Sequence, residues 1–254
     1  MLHYEISGKG RETLVLLHGF MENLEIWNDM IPHLSEDFQL VKVDLAGFGK
    51  SAPIADAQTM DLMAEEVKKL TDYLEVESFH LLGHSMGGYI SLAFAEKYPQ
   101  LLKSFTLFFS TYFEDDDEKK NVRLKSLRVI KDNYKAYANA GIPNLFGPDA
   151  KHNKKDKIEL AKQIAYTANI DGVLACQKGM IERPDRKSVL ENFNGKMLLL
   201  AGRFDNAVNS IKTISELPDR ENISAYLLNC GHNGHWEKPS ICAEIINTEL
   251  LDEE

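Results

Sequence analysis

Six short apolar runs punctuate the 254-residue chain, and most are separated by longer stretches with a helical period. The runs are Thr13 to Leu17, Leu40 to Val43, Phe79 to Leu82, Ser104 to Phe109, Lys196 to Ala201 and Ile223 to Leu228. Alternation of this kind predicts a parallel sheet flanked by helices, an α/β architecture. Between the runs, Glu22 to Leu34 is predicted as a helix. Met60 to Leu74 carries Leu62, Met63, Val67, Leu70 and Leu74 on one helical face. Met86 to Tyr98 is predicted to form a helix that stops before Pro99, because the residue preceding a proline is pushed out of the helical region. A last helix is expected from Ser240 to Leu250. A domain of this size buries roughly three quarters of its unfolded surface, so a large core needs no covalent staples.

From Thr111 to Asn194 the alternation breaks down. This stretch is charged, helical in period and poor in strand candidates, which predicts a helical insertion over one end of the sheet. The expected organisation is a core of residues 1–110 and 195–254 with a cap of residues 111–194. The run Glu114-Asp115-Asp116-Asp117-Glu118-Lys119-Lys120 reads as a solvated helix start, since acids suit a helix amino terminus.

Composition removes several classes of function. A net charge of −10 opposes nucleic acid and anionic lipid as main partners. Cys176, Cys230 and Cys242 show no C-x-x-C spacing and read as buried thiols, with neither a disulfide framework nor a metal site implied. No apolar stretch approaches the ~20 residues that span a bilayer. The start Met1-Leu2-His3-Tyr4-Glu5 lacks a basic region followed by an apolar run, so the expected location is cytoplasmic.

The chemistry is written into four loops that follow apolar strands. Gly83-His84-Ser85-Met86-Gly87-Gly88 fits G-x-S-x-G and falls directly between an apolar strand and a helix, where a nucleophilic serine must sit on a strained turn. Glycines at Gly83 and Gly87 remove Cβ atoms that would clash with the neighbouring chain. The Met86 amide is then one donor for an oxyanion, and the Phe20 amide, after the sharp His18-Gly19 turn, is the second. His18 is expected to brace that turn. A serine hydroxyl needs a histidine base, which in turn needs a carboxylate to fix its tautomer. Asp205, just past the run ending at Ala201, and His232, after the run ending at Leu228, supply these roles. His235 is expected to pack or to line the entrance to substrate. Asp44 to Ser51 is glycine-rich, yet Gly47 and Gly49 lack phosphate-loop spacing, so it reads as a structural loop bordering the site.

At these residues the chain resembles the α/β-hydrolase superfamily over essentially its whole length. The match comprises His18-Gly19-Phe20, Asp44 through Ser51, Gly83 through Gly88, Gly202 through Asp205, and Gly231-His232 with Glu237-Lys238-Pro239. The resemblance implies a mostly parallel eight-stranded sheet with a helical cap before the seventh strand, the chain order Ser, Asp, His for the triad, and no cofactor. Within the serine branch the likeness is to small esterases and enol-lactonases, which implies a small-molecule ester as substrate. Tyr89 after the elbow glycines and Tyr112, one of the aromatic residues of the cap that would roof the pocket, are expected beside it. Gly231-His232-Asn233-Gly234-His235 is also similar to the final motif of the 2-succinyl-6-hydroxy-2,4-cyclohexadiene-1-carboxylate synthase family, implying a lyase or C–C bond hydrolase as the alternative. That family carries arginine where this chain has Tyr89, and Arg183 and Arg186 are the candidate substitutes, with a reading as surface charges set against it. A noncatalytic small-ligand receptor is the alternative of a different class.

Overall fold

All six apolar runs become strands of one sheet in the computed structural model, which describes residues 1–251. They are β2 (Glu12–Leu17), β3 (Phe38–Val43), β4 (Phe79–His84), β5 (Leu102–Phe108), β6 (Lys196–Gly202) and β7 (Ile223–Leu228). A seventh strand, β1 (Tyr4–Ser7), pairs antiparallel to β3, and every other pairing is parallel. The spatial order is β1-β3-β2-β4-β5-β6-β7. The central strands β4 and β5 are buried along almost their whole length, as strands covered on both faces must be.

The sheet therefore has seven strands among the described residues, one fewer than the resemblance implied. Only six runs in the chain are apolar enough to be central strands, and the short, largely exposed Tyr4–Ser7 adds the edge. No further run of that kind remains to pair beyond it.

Helices α1 (Met60–Tyr73) and α2 (Met86–Lys97) pack against each other, and α2 also lies against β4 and β5. Thr59 caps α1 by accepting the Leu62 amide, and α2 ends before Pro99 as expected. The helix predicted over Glu22 to Leu34 is instead two 3-10 turns, Leu24–Trp27 and Ile31–His33. Asn23 caps the first by accepting the Glu25 amide. Pro32 has no N–H with which to continue a helical ladder, so the segment stays in short turns that bury Leu24, Ile26 and Trp27.

Between β5 and β6 the chain forms α3 (Asp117–Gly141), α4 (Pro148–Asn153), α5 (Lys155–Tyr166), α6 (Ile170–Glu182) and α7 (Lys187–Asn192). Asn133 breaks α3 at φ −155°, ψ 73°, and its side chain accepts the Ala136 amide, recapping the second half. The acidic run divides. Asp116 caps α3 through the Lys119 amide, but Asp115 is buried rather than solvated. Its carboxylate binds Arg183 bidentately, both contacts at 2.8 Å, and Arg123 at 2.6 Å. Burial alone would raise the Asp115 pKa; the two guanidinium groups outweigh it and bring it to about 2. Arg186, also buried, joins Asp61 of α1 and Glu96 of α2. Neither arginine is a surface charge, and both have carboxylate partners within the chain.

The chain closes with α8 (Ser210–Ser215), the single turn α9 (Gly234–Glu237) and α10 (Pro239–Leu250). All three cysteines are buried and unpaired, and burial pushes the Cys176 thiol up to about 12. Among the described residues no helix is long and apolar enough to cross a membrane.

Candidate active site

The carboxyl ends of β2, β4, β6 and β7 carry the four loops that sequence reasoning singled out. Ser85 occupies the turn from β4 into α2 with φ 51° and ψ −111°, a conformation that costs a non-glycine residue energy. Two observations explain how it is held: its amide donates to the Phe108 carbonyl at 3.0 Å, and its own carbonyl accepts the Ser110 hydroxyl at 2.7 Å. The glycines flanking it are required by close approach. A Cβ on Gly83 would sit 2.2 Å from the Gly87 carbonyl oxygen, and one on Gly87 would sit 2.5 Å from that of Leu17.

On the oxyanion side, His18 Nδ1 donates to the Gly19 carbonyl at 2.7 Å while its Nε2 accepts the Leu45 amide at 2.9 Å. That pairing fixes a neutral ring, consistent with burial lowering its pKa, and it braces the turn against the Asp44–Ser51 loop. Asp44 ties that loop down by accepting the amides of Leu24 and Lys50. The amides of Phe20 and Met86 enter no hydrogen bond among the described residues. Met86 is the first residue of α2, where an unsatisfied amide is expected.

Asp205 and His232 meet. His232 Nδ1 donates to Asp205 Oδ2 at 2.7 Å, and Asp205 Oδ1 accepts the Ala207 and Val208 amides at 2.7 and 2.9 Å. The Asp205 side chain is fully enclosed; burial pushes its pKa up, but His232 and the two amides prevail and lower it. An imidazole donating from Nδ1 keeps its lone pair on Nε2, the form a general base needs. His232 reaches the serine turn through His84, whose ring lies 4.9 Å from that of His232 and whose Nε2 donates to the His232 carbonyl at 3.1 Å. No hydrogen bond joins the Ser85 hydroxyl to His232 among the described residues; such contacts commonly tighten only with substrate bound.

The three residues expected beside substrate are all packed. His235 is wholly buried among Trp27, His84, Phe108 and Trp236, so it lies in the core and not at an entrance. Burial and the neighbouring His84 push its pKa well down. Tyr112 is buried, its hydroxyl donating to the Thr213 carbonyl at 3.1 Å. Tyr89 is buried under the Arg183 guanidinium, 4.0 Å from its ring centroid.

Three site residues were given no role of their own in the sequence reading. Glu22 accepts the Gly19 amide and His84 Nδ1 on one oxygen, at 2.6 and 2.8 Å. His84, the variable position of the elbow, links that carboxylate to the His232 loop. Glu237 accepts the Gly231 and Gly147 amides, joining the histidine loop to the helical segment, and the Leu145 carbonyl accepts the His232 amide at 2.7 Å. The signal available was an acid two residues beyond the His18-Gly19-Phe20 turn and another within a tryptophan-containing turn. A groove of about 650 Å³, lined by Lys119 and Val122 of α3 and by Asp205 and Asn206, runs beside the aspartate loop. A larger one of about 1100 Å³ lies at the opposite ends of the strands, around Glu12, Lys103 and Lys196.

A serine on a strained strand-to-helix turn, with a buried Asp–His pair delivered by later loops of a parallel sheet, defines the class. The chain has the α/β-hydrolase fold: residues 12–127 match the family described as alpha/beta hydrolase fold. Its fold superposes on a thermophilic esterase from Thermogutta terrifontis with a TM-score of 0.91 at 29% identity, covering 98% of this chain and 92% of that one. A 2-hydroxy-6-oxononadienedioate/2-hydroxy-6-oxononatrienedioate hydrolase of Paraburkholderia phymatum is 26% identical over 265 residues, covering 99% of this chain and 90% of that protein. The dihydrolipoyllysine-residue acetyltransferase component of an acetoin cleaving system of Pseudomonas putida is 38% identical over 107 residues, 42% of this chain and 29% of that protein. The chain thus spans under a third of that relative's length.

Proposed function

We propose that the protein is a serine hydrolase acting on small carboxylic esters, with Ser85 as nucleophile, His232 as base and Asp205 as its orienting acid. The buried Asp205–His232 hydrogen bond carries this reading, because it sets the imidazole tautomer that a serine requires. His232 takes the Ser85 proton as the hydroxyl attacks the ester carbonyl, and the Phe20 and Met86 amides receive the oxyanion. The alcohol leaves with the proton from His232, and water then resolves the acyl-enzyme by the same route. Residues 111–194 act as a cap over this site. Support for hydrolysis of a C–C bond comes from the full-length likeness to the Paraburkholderia hydrolase, and it is the second reading. A lyase that needs free cap arginines gains nothing here, since Arg183 and Arg186 are already paired.

Turnover of p-nitrophenyl acetate and of a 2-hydroxy-6-oxo-dienoate by wild type and Ser85→Ala tests the proposal. The expected outcome is ester turnover that falls by ~10⁴-fold or more in the variant. Turnover of the dienoate alone moves the assignment to the second reading, and unchanged rates in Ser85→Ala discard the nucleophile.

A further inference from the structure

Two residues that the hydrolytic scheme does not use stand at the centre of the site. The Glu22 carboxylate folds back on its own loop to accept the Gly19 amide, and it does so across Met21, which is held at φ 63°. A left-handed methionine persists only where its surroundings over-determine it, and this contact is one that does so. The same oxygen accepts His84 Nδ1, while His84 Nε2 points to the His232 carbonyl. A carbonyl oxygen only accepts, and so does an ionised carboxylate. Both ring nitrogens of His84 must therefore donate, and the ring is an imidazolium. His84 is 1% exposed and Glu22 has 11% of its side chain exposed, so the pair is a buried one.

We infer that the Glu22–His84 carboxylate–imidazolium pair is the positioning device of this active site, holding the oxyanion turn, the serine turn and the histidine loop in register. Two features make this more than packing. A Cβ on Gly19 would lie 2.7 Å from Glu22 Oε2, 2.9 Å from His84 Nδ1 and 3.2 Å from Ser85 Cβ, so the pair borders the nucleophile itself. A buried carboxylate beside a developing oxyanion would oppose it; the adjacent imidazolium cancels that field. Buried ion pairs add little net stability over apolar packing, which leaves geometry as what this one supplies.

The titratable groups facing His84 agree with its charge. Glu22 and Asp205 lie on the negative side; His18, His232 and His235 are the other rings near it. Burial works against a charged His84, yet Glu22 and the His232 carbonyl raise its pKa. Burial likewise pushes Glu22 up, and His84 overrides it to about 2.

The inference rests on Ser85 and His232 acting as proposed, and its test separates the two. Nitrogen-15 NMR of the full chain at pH 8 is expected to show His84 with both ring nitrogens protonated. Glu22→Gln keeps an acceptor for Gly19 but removes the charge, so it is expected to convert His84 to a neutral ring. It is also expected to lower kcat for the chromogenic ester by ~10²-fold with KM changed less than about 3-fold, the loss typical of one displaced oxyanion donor. His84→Gln, of similar volume, serves if the first variant does not fold, and the same kcat loss is expected. A neutral His84 in the wild type overturns the inference, whether or not the ester is turned over. So does a Glu22→Gln enzyme with wild-type kcat.

Discussion

Two half-buried glutamates brace loops of the site, Glu22 the Gly19 turn and Glu237 the His232 loop, and the protein solvates them in opposite ways. Glu22 closes the oxyanion turn with one amide and one imidazole, and His84 brings its pKa down to about 2. Glu237 closes the histidine loop with the amides of Gly231 and Gly147 and forms no ion pair among the described residues. Burial dominates there and raises its pKa in spite of the amides. Amide dipoles hold a loop in place; a full counter-charge also fixes the protonation state. The Gly19 turn has the second arrangement, and the loop that joins the helical segment to the core has the first.

The comparison breaks most sharply if Glu237 is truncated. Glu237→Ala leaves two enclosed amides without acceptors, and each orphaned donor costs ~1–3 kcal/mol, so a loss of ~2–6 kcal/mol in urea unfolding at pH 7 is expected. Glu22→Ala is expected to cost less, because His84 can shed its proton and so escape an unpaired buried charge. Equal losses would mean that the counter-charge makes no difference.

Acid titration sharpens the same contrast. Glu22 has a folded pKa of about 2 against an ordinary 4.5, so the unfolded chain binds its proton first as pH falls. Its contribution is fully present above 4.5 and is lost as pH drops through about 2, ~3 kcal/mol in all. Glu237 has the reverse sign: with its folded pKa above 4.5, the folded chain binds the proton first, and stability rises as pH falls across that window. Denaturant midpoints measured from pH 7 to pH 2 are therefore expected to show Glu22→Gln converging on wild type toward acid. Glu237→Gln should instead fall further behind it as pH approaches 4.5. Parallel curves for both variants would remove the distinction.

Why the sequence offered Ser85, Asp205 and His232 as candidates but gave neither glutamate a role is itself a matter of range. Each triad candidate is announced locally, by a glycine turn or by the end of an apolar strand. Glu22 acquires its partner from a residue 62 positions away, and His84 reaches a carbonyl 148 positions away. No local pattern reports such meetings. Similar physics explains the misread elements. The central strands β4 and β5 are buried along nearly their whole length and so are legible as apolar runs, whereas Tyr4–Ser7 is a mostly exposed edge without that signal. Leu24–Trp27 has helix-like burial but is capped and interrupted by Asn23 and Pro32. Asp115 looked like part of a solvated run because its partners Arg123 and Arg183 arrive from α3 and from the end of α6. For His235 the sequence left packing and lining an entrance both open, and the rings around it decide for packing.

The finest test adds one methyl group to each side. A Cβ on Gly19 meets Glu22 Oε2, His84 Nδ1 and Ser85 Cβ, while a Cβ on Gly147 meets the Gly231 nitrogen at 2.8 Å and Glu237 Oε2 at 2.9 Å. Overpacking of this kind costs ~1–3 kcal/mol, so Gly19→Ala and Gly147→Ala are expected to lower the melting temperature by similar amounts. Their kinetics should differ. The first methyl presses on Ser85, the proposed nucleophile, and on the turn that presents the Phe20 amide, so kcat is expected to fall by ~10²-fold. The second presses on a carboxylate and on the Gly231 amide, one residue before His232 and not on Ser85, so kcat is expected to fall by less than ~10-fold. Matching kcat losses in the two variants would show that the histidine loop is held as tightly as the oxyanion turn, and that two amides restrain a loop as well as a charged ring does.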